Sequence, residues 1–150
     1  MAGKLAPGRY DFIWAAFQPF GRNMWSDRCW FHKEDFLQRM PKSVLQSNWY
    51  YGRRFLESPH ERSRIYAQTY IDLDKAGFDQ VPCGSTIGAE DNFQLTVNFV
   101  REHVSTERLK GFLMAAWGGA MLPKNEAKHL KAMDIVGAVR DGFLKDTVSG

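Results

Sequence analysis

Ser58-Pro59-His60-Glu61 opens the stretch whose reading decides the fold, which runs on through Ile65, Thr69, Leu73 and Ala76 to Gly77-Phe78-Asp79-Gln80-Val81-Pro82. A serine before a proline, with a glutamate three residues later, is the start signal of a helix: the hydroxyl caps free N–H groups, and proline loses nothing at the first helical position. The apolar residues that follow recur at helical spacing, with Tyr66 and Tyr70 beside them. Gly77 stands where a left-handed terminating residue belongs. A short run of β formers, 78–82, follows at once, leading into Cys83-Gly84-Ser85-Thr86. One helix with both ends marked is thus followed directly by one strand.

The same unit recurs on either side. Upstream, Met24-Trp25-Ser26-Asp27 reads as the end of a first strand after Gly21, and 32–39 as a short helix stopped by Pro41. Ser43-Val44-Leu45-Gln46-Ser47-Asn48-Trp49-Tyr50 is a second strand closed by Gly52. Downstream, 91–103 is a helix with Phe93, Val97 and Val100 on one face, 109–116 a further strand, and 125–140 a last helix with a stripe of Leu130, Met133, Val136 and Val139. The later strands repeat at about 34 residues, the size of a βαβ unit. Strand–helix alternation without hairpin signals predicts a parallel sheet. Barrel and doubly wound sheets both satisfy it, although no glycine-rich phosphate fingerprint follows any strand. The expected fold is α/β, with about four parallel β/α repeats over 22–150, about half of a barrel of ~250 residues. Residues 1–21 form a segment without a defined role.

Composition restricts the function. The 150 residues carry 20 basic and 17 acidic side chains, a net charge of +3, with no basic run of the kind nucleic acid requires. No stretch approaches the ~18 apolar residues of a membrane helix. The N-terminus lacks the charged start and apolar core of a signal peptide, so the chain as given reads as cytoplasmic, or as extracytoplasmic if an upstream signal has been lost. Cys29 and Cys83 make neither a disulfide framework nor a metal-ligand spacing. No histidine pair has ligand spacing either, so neither a metal nor a cofactor is expected.

Aromatic residues are 14% of the chain, and their distribution is uneven. In parallel α/β folds ligands bind where the carboxyl ends of the strands converge. Trp25, Trp30, Trp49 and Trp117 all fall there, interleaved with Asp27, Asn48, Tyr50, Tyr51 and Ser85, whereas the helices carry mostly aliphatic and charged residues. Flat rings beside hydrogen-bonding groups suit a sugar, whose ring faces are apolar and whose edges are hydroxylated. The alternative is that the tryptophans fill the core and the loop bases. Asp27, after an apolar pair at a strand end, is the candidate catalytic carboxylate; its alternative is a capping or loop-bracing role. Asp79 begins its strand and belongs to the opposite, stability face, and Glu90 and Asp91 read as capping residues.

Met24-Trp25-Ser26-Asp27, Met40-Pro41-Lys42-Ser43-Val44-Leu45-Gln46-Ser47-Asn48-Trp49-Tyr50-Tyr51-Gly52, Ala76-Gly77-Phe78-Asp79-Gln80-Val81-Pro82-Cys83-Gly84-Ser85 and Glu107-Arg108-Leu109-Lys110-Gly111-Phe112-Leu113-Met114-Ala115-Ala116-Trp117 together resemble bacterial proteins of glycoside-hydrolase type. Their barrel is similar to that of family twenty glycoside hydrolases, the β-N-acetylhexosaminidase kind. The resemblance spans 22–140 and implies the C-terminal half of a TIM-type (β/α)8 barrel, with Trp25, Asp27, Trp49, Tyr50 and Trp117 on the wall of a sugar subsite. Hexosaminidase-type enzymes also carry an Asp-Glu pair after an earlier strand, with glutamate as general acid. Here Glu34-Asp35 and Glu90-Asp91 have the reverse order and lie at helix starts. Gly118-Gly119-Ala120-Met121 is likewise a run of small residues where a site loop would be expected. The expectation is therefore a carbohydrate-binding half-barrel that cleaves glycans when a missing N-terminal half completes it; the alternative is a non-catalytic or vestigial sugar-binding half-barrel. Open strand edges on such a unit favour a homo-oligomer.

Overall fold

The computed structural model describes residues 13–14, 33–86, 89–116, 124 and 126–148. They form an α/β arrangement: β1 (Ile13–Trp14), α1 (Lys33–Arg39), β2 (Leu45–Gln46), α2 (Glu61–Lys75), β3 (Cys83–Ser85), α3 (Asn92–His103), β4 (Leu113–Ala115) and α4 (Glu126–Val148). β1 pairs with β2, and β3 with β4, both in parallel. Bridges from Gln46 to Gln80 and from Trp49 to Cys83 join the two pairs, backed by backbone bonds from Val81 N–H to the Gln46 carbonyl (2.8 Å) and from Cys83 N–H to the Asn48 carbonyl (3.0 Å). The strands thus stand side by side in chain order.

The strand expected at 24–27 lies outside the described residues. The described neighbour of β2 is instead Ile13–Trp14, within the 1–21 segment to which the sequence assigns no role. The strand expected at 78–82 also lies later, with its regular part at Cys83–Ser85 and only Gln80 bridging before it. The reason is packing. Gly84 has no side chain, and α3 comes down on that spot: an added Cβ would stand 2.8 Å from Phe93 Cα. A sequence that looks like a turn can be a strand where a helix needs bare backbone.

α2 ends as its glycine implies. Gly77 has φ +82°, its N–H bonds the Asp74 carbonyl (2.9 Å), and Phe78 N–H bonds the Leu73 carbonyl (3.0 Å). This is the Schellman pattern, and Leu73 and Phe78 pack together with Phe36 as its apolar contact. The start of α2 differs from the expectation. His60 is the cap residue, while the buried Ser58 uses its hydroxyl two residues earlier, accepting from His60 N–H at 3.3 Å. The serine–proline signal marks the approach to the helix and not its first residue.

The main core lies between the strands, α2 and α3: Tyr50, Phe55, Ala67, Tyr70, Val100 and Val104. Phe55 stacks on Phe99 at 4.4 Å between centroids and meets Tyr50 edge-on at 5.0 Å. Three amides share this helix-facing layer, Gln46, Asn48 and Gln80, none more than 1% exposed. Asn48 Nδ2 donates to the Tyr66 carbonyl (3.1 Å) and Gln80 Nε2 to the Tyr70 carbonyl (3.0 Å), one turn apart on α2. Gln46 Nε2 donates to the Val44 carbonyl at 3.0 Å. Asp79, as its place at the start of a strand implies, serves the far end, where Arg108 (3.3 Å) and Lys110 (3.6 Å) approach it.

β4 carries a bulge. Gln80 stands opposite Leu109 but Cys83 opposite Leu113, so three steps along one strand match four along the other. Gly111 sits in the extra step at φ +144°, a conformation that a Cβ would strain. The stripe expected on α4 is divided: Val136 and Val139 are half-buried, but Leu130 is 54% and Met133 68% exposed, and Ala132 takes the buried position.

Candidate functional site

Side chains alternate across a strand, so the register decides which candidates share a face. Gln46, Asn48 and Tyr50 point toward the helices, and Ser47, Trp49 and Tyr51 take the opposite face. Asn48 is 1% exposed and bonded to α2; Tyr50 is 7% exposed, its hydroxyl donating to the Arg54 carbonyl at 2.9 Å. Both therefore serve packing, and the aromatic wall expected from this segment narrows to Trp49 and Tyr51.

These two are half-buried and stacked, with centroids 6.5 Å apart and planes 21° from parallel. Trp49 Nε1 donates to Ser47 Oγ (3.2 Å), which orients the indole, and the Tyr51 hydroxyl reaches within 4.0 Å of Cys83 Sγ on β3. The bridge between Trp49 and Cys83 puts both side chains on one face, and Ser85 follows two residues on. Ser85 is fully buried and its hydroxyl donates to the Ala115 carbonyl of β4 at 2.8 Å, so it ties strands together beneath the aromatic pair. Trp25, Asp27, Trp30 and Trp117 lie outside the described residues.

Sequence reasoning missed Asn92, which builds this end of the sheet. Fully buried at the first position of α3, it accepts from Ser85 N–H (3.0 Å) and donates to the carbonyls of Tyr50 (3.0 Å) and Gly52 (2.8 Å). One side chain therefore holds the end of β3 and the loop after β2 to the start of α3. Its only sequence signal is a polar residue inside an apolar helical face. Asp91, expected to cap α3, is the cap residue but makes no capping bond with its side chain. Arg53 claims it in a two-pronged pair at 2.9 and 3.0 Å, and its hydrogen bond holds the Asp91 carboxyl below the usual carboxylate range. Glu90 is paired with Lys131 of α4.

Cys83 is the described thiol of the site. It is 3% exposed, and burial pushes its pKa up despite the opposing hydrogen bonds with the Tyr51 hydroxyl and the Ala115 backbone. A raised thiol pKa leaves less thiolate at neutral pH, the reverse of what a nucleophile needs. In a Cys29→Ser background, iodoacetamide at neutral pH is expected to label folded Cys83 about tenfold or more slowly than the unfolded chain. Equal rates would show the thiol to be open and activated.

Among the described residues no group of three or more His, Cys, Asp or Glu side chains is placed to hold a metal ion, and no helix is long and apolar enough to cross a membrane. No family model matches the chain, and comparison with curated proteins and with solved structures likewise gives no match.

Proposed function

We propose that the strand ends bind a carbohydrate, with Trp49 and Tyr51 as the stacking platform, and that the chain is the sugar-binding half of a glycoside-hydrolase-like (β/α)-barrel. The observation that carries the reading is the stacked Trp49–Tyr51 pair, half-buried on the face opposite the helices, whereas Asn48 and Tyr50 bury themselves on the helix side. Parallel strands in chain order, each followed by a helix, support the barrel form, since a doubly wound sheet reverses its order partway. In this reading Trp25, Trp30 and Trp117 extend the wall and Asp27 supplies a carboxylate. Glycan cleavage then needs a second catalytic group, or a substrate acetamido group in its place, once further strand–helix units complete the barrel.

A second reading, a non-catalytic sugar-binding half-barrel that self-associates, is favoured by the state of Glu90 and Asp91. These acids stand between β3 and α3, at the start of the helix, and each is paired with a cation, Lys131 and Arg53. Hydrolysis of aryl glycosides by the chain, lost in Asp27→Asn, would exclude that reading.

The binding test is tryptophan fluorescence and calorimetry against mono- and disaccharides, N-acetylglucosamine and its dimer included. A saturable response is expected, weakened about tenfold or more by Trp49→Ala, which corresponds to roughly 1.4 kcal/mol of lost contact. Tyr51→Ala is expected to act in the same direction. No response from any sugar, or a Trp49→Ala protein that binds like the unaltered chain, would end the proposal.

A further inference from the structure

The bulge in β4 has a counterpart on the helix side of the sheet. α4 packs against α3. Between them lies a cleft of about 450 Å³ floored by Phe93 and Val97 of α3, Leu109 and Phe112 of the bulged segment, and Val136 and Val139 of α4. Leu109, Phe112, Val136 and Val139 are only half-buried, so the fold leaves this apolar surface partly in contact with water. At roughly 25 cal/mol per Å² that exposure favours any apolar group able to fill the space. A concave apolar site of this size, with a few polar groups at its edge, is the usual form of a small-molecule site.

The edge has one sign. Lys110 and Arg140 line the cleft, and no carboxylate does among the described residues. Their acidic neighbours stand to the side: Asp79 lies 3.6 Å from Lys110 Nζ, and Asp141, next in the chain, pairs with Arg140. Both cations are exposed, and a bound carboxylate would exchange with the surface contacts they now make, Lys110 with Asp79 and the Glu107 carbonyl and Arg140 with Asp141; exposed pairs of this kind hold weakly. Their charge chooses between candidate occupants, since an apolar tail alone would serve a neutral lipid, a cationic amphiphile or an anionic one equally well.

We propose that the cleft between α3, the bulge of β4 and α4 binds an aliphatic carboxylate of medium chain length, its tail on Phe93, Phe112 and Val136 and its head between Lys110 and Arg140. The site lies on the helix side of the sheet, apart from the Trp49–Tyr51 face, and stands or falls independently of the sugar reading.

The experiment titrates the chain with decanoate, with decyltrimethylammonium as the same tail bearing a positive head, and with butyrate as the head with little tail. Calorimetry and thermal unfolding are the readouts. Decanoate is expected to bind saturably, one per chain, and to raise the unfolding midpoint; the other two are expected to bind at least about tenfold more weakly, a difference of ~1.4 kcal/mol. Lys110→Gln/Arg140→Gln, which alters only exposed side chains, is expected to remove the preference for the carboxylate, and Val136→Trp, which fills the cleft, to abolish binding. Absence of decanoate binding overturns the proposal, as does equal binding of both ten-carbon amphiphiles. So does a dimer that Val136→Trp dissociates and decanoate does not, because a second copy would then be the occupant. If Val136→Trp fails to fold, the double glutamine variant decides alone: unchanged decanoate affinity overturns the assignment.

Discussion

Asn92→Ala is expected to destabilise the chain by about 3–5 kcal/mol, since each buried polar group left without its partner costs roughly 1–3 kcal/mol. The substitution strands three at once: the Ser85 N–H and the carbonyls of Tyr50 and Gly52. Against a total stability of about 5–15 kcal/mol the loss is large, and an unfolding midpoint lower by ~10 °C is the expected readout. Asn92→Asp keeps the acceptor for Ser85 but removes both donors and sets a carboxylate against two carbonyl oxygens. It should be at least as damaging near neutral pH and recover in part as acid protonates the side chain. Serine, which fits the space but spans only one of the three contacts, should fall between. An Asn92→Ala protein that melts with the unaltered chain would mean that the strand-end loops are held by something else.

Gly84→Val carries the second large effect. The obstruction is backbone: an added Cβ would lie 2.8 Å from Phe93 Cα and 2.9 Å from Phe93 Cδ2. A side chain can rotate out of the way, but a Cα moves only with its helix, so α3 has to lift from the sheet and take Asn92 with it. Overpacking of this kind costs about 1–3 kcal/mol and more where the neighbour cannot yield. Alanine should already cost part of it and valine most. The contrasting control is Gly137→Ala. Nothing lies within 4 Å of a Cβ at that position in α4, and replacing a mid-helix glycine should stabilise by up to ~1 kcal/mol. If Gly84→Val and Gly137→Ala shift the denaturation midpoint alike, close helix–strand approach at Gly84 is not a constraint.

Both residues show where sequence reading stops. The helices were legible because their apolar residues recur over several turns: α1, α3 and the end of α2 fall within a residue or so of where periodicity and Gly77 put them. The pairing of strands in parallel was legible from the alternation itself. What could not be read depends on contacts between segments distant in the chain. Cys83-Gly84-Ser85 resembles a loop until Phe93 is known to sit on Gly84. Asp91 resembles a cap until Arg53 is found beside it, 38 residues away. Leu130 and Met133 satisfy a helical stripe as well as Val136 and Val139 do, and only packing against α3 distinguishes the two rows.

For the candidate site, the sequence singled out the end of β2 but treated 48–51 as a block. A period of two applied to that segment separates Asn48 and Tyr50 from Trp49 and Tyr51, and it is the one signal at hand that would have narrowed the wall in advance. The exposed pair at Arg53 and the buried Asn92 had no comparable signal, because hydrogen bonding across the chain leaves no periodic trace.

Asn48 and Gln80 act on α2 as two indexing pins. Their amide groups engage the carbonyls of Tyr66 and Tyr70, successive turns of the same helix, from neighbouring strands. A greasy interface would allow a helix to roll or to slide by a turn at small cost, since one apolar contact replaces another. Two directional bonds at a fixed spacing do not permit it: a roll of one residue turns both carbonyls away, and a slip of one residue in either strand carries its amide to the other face of the sheet. The same pair therefore ties strand register to helix phase, because an incorrectly threaded unit would leave the buried amide N–H groups of Asn48 and Gln80 without the acceptors they have here.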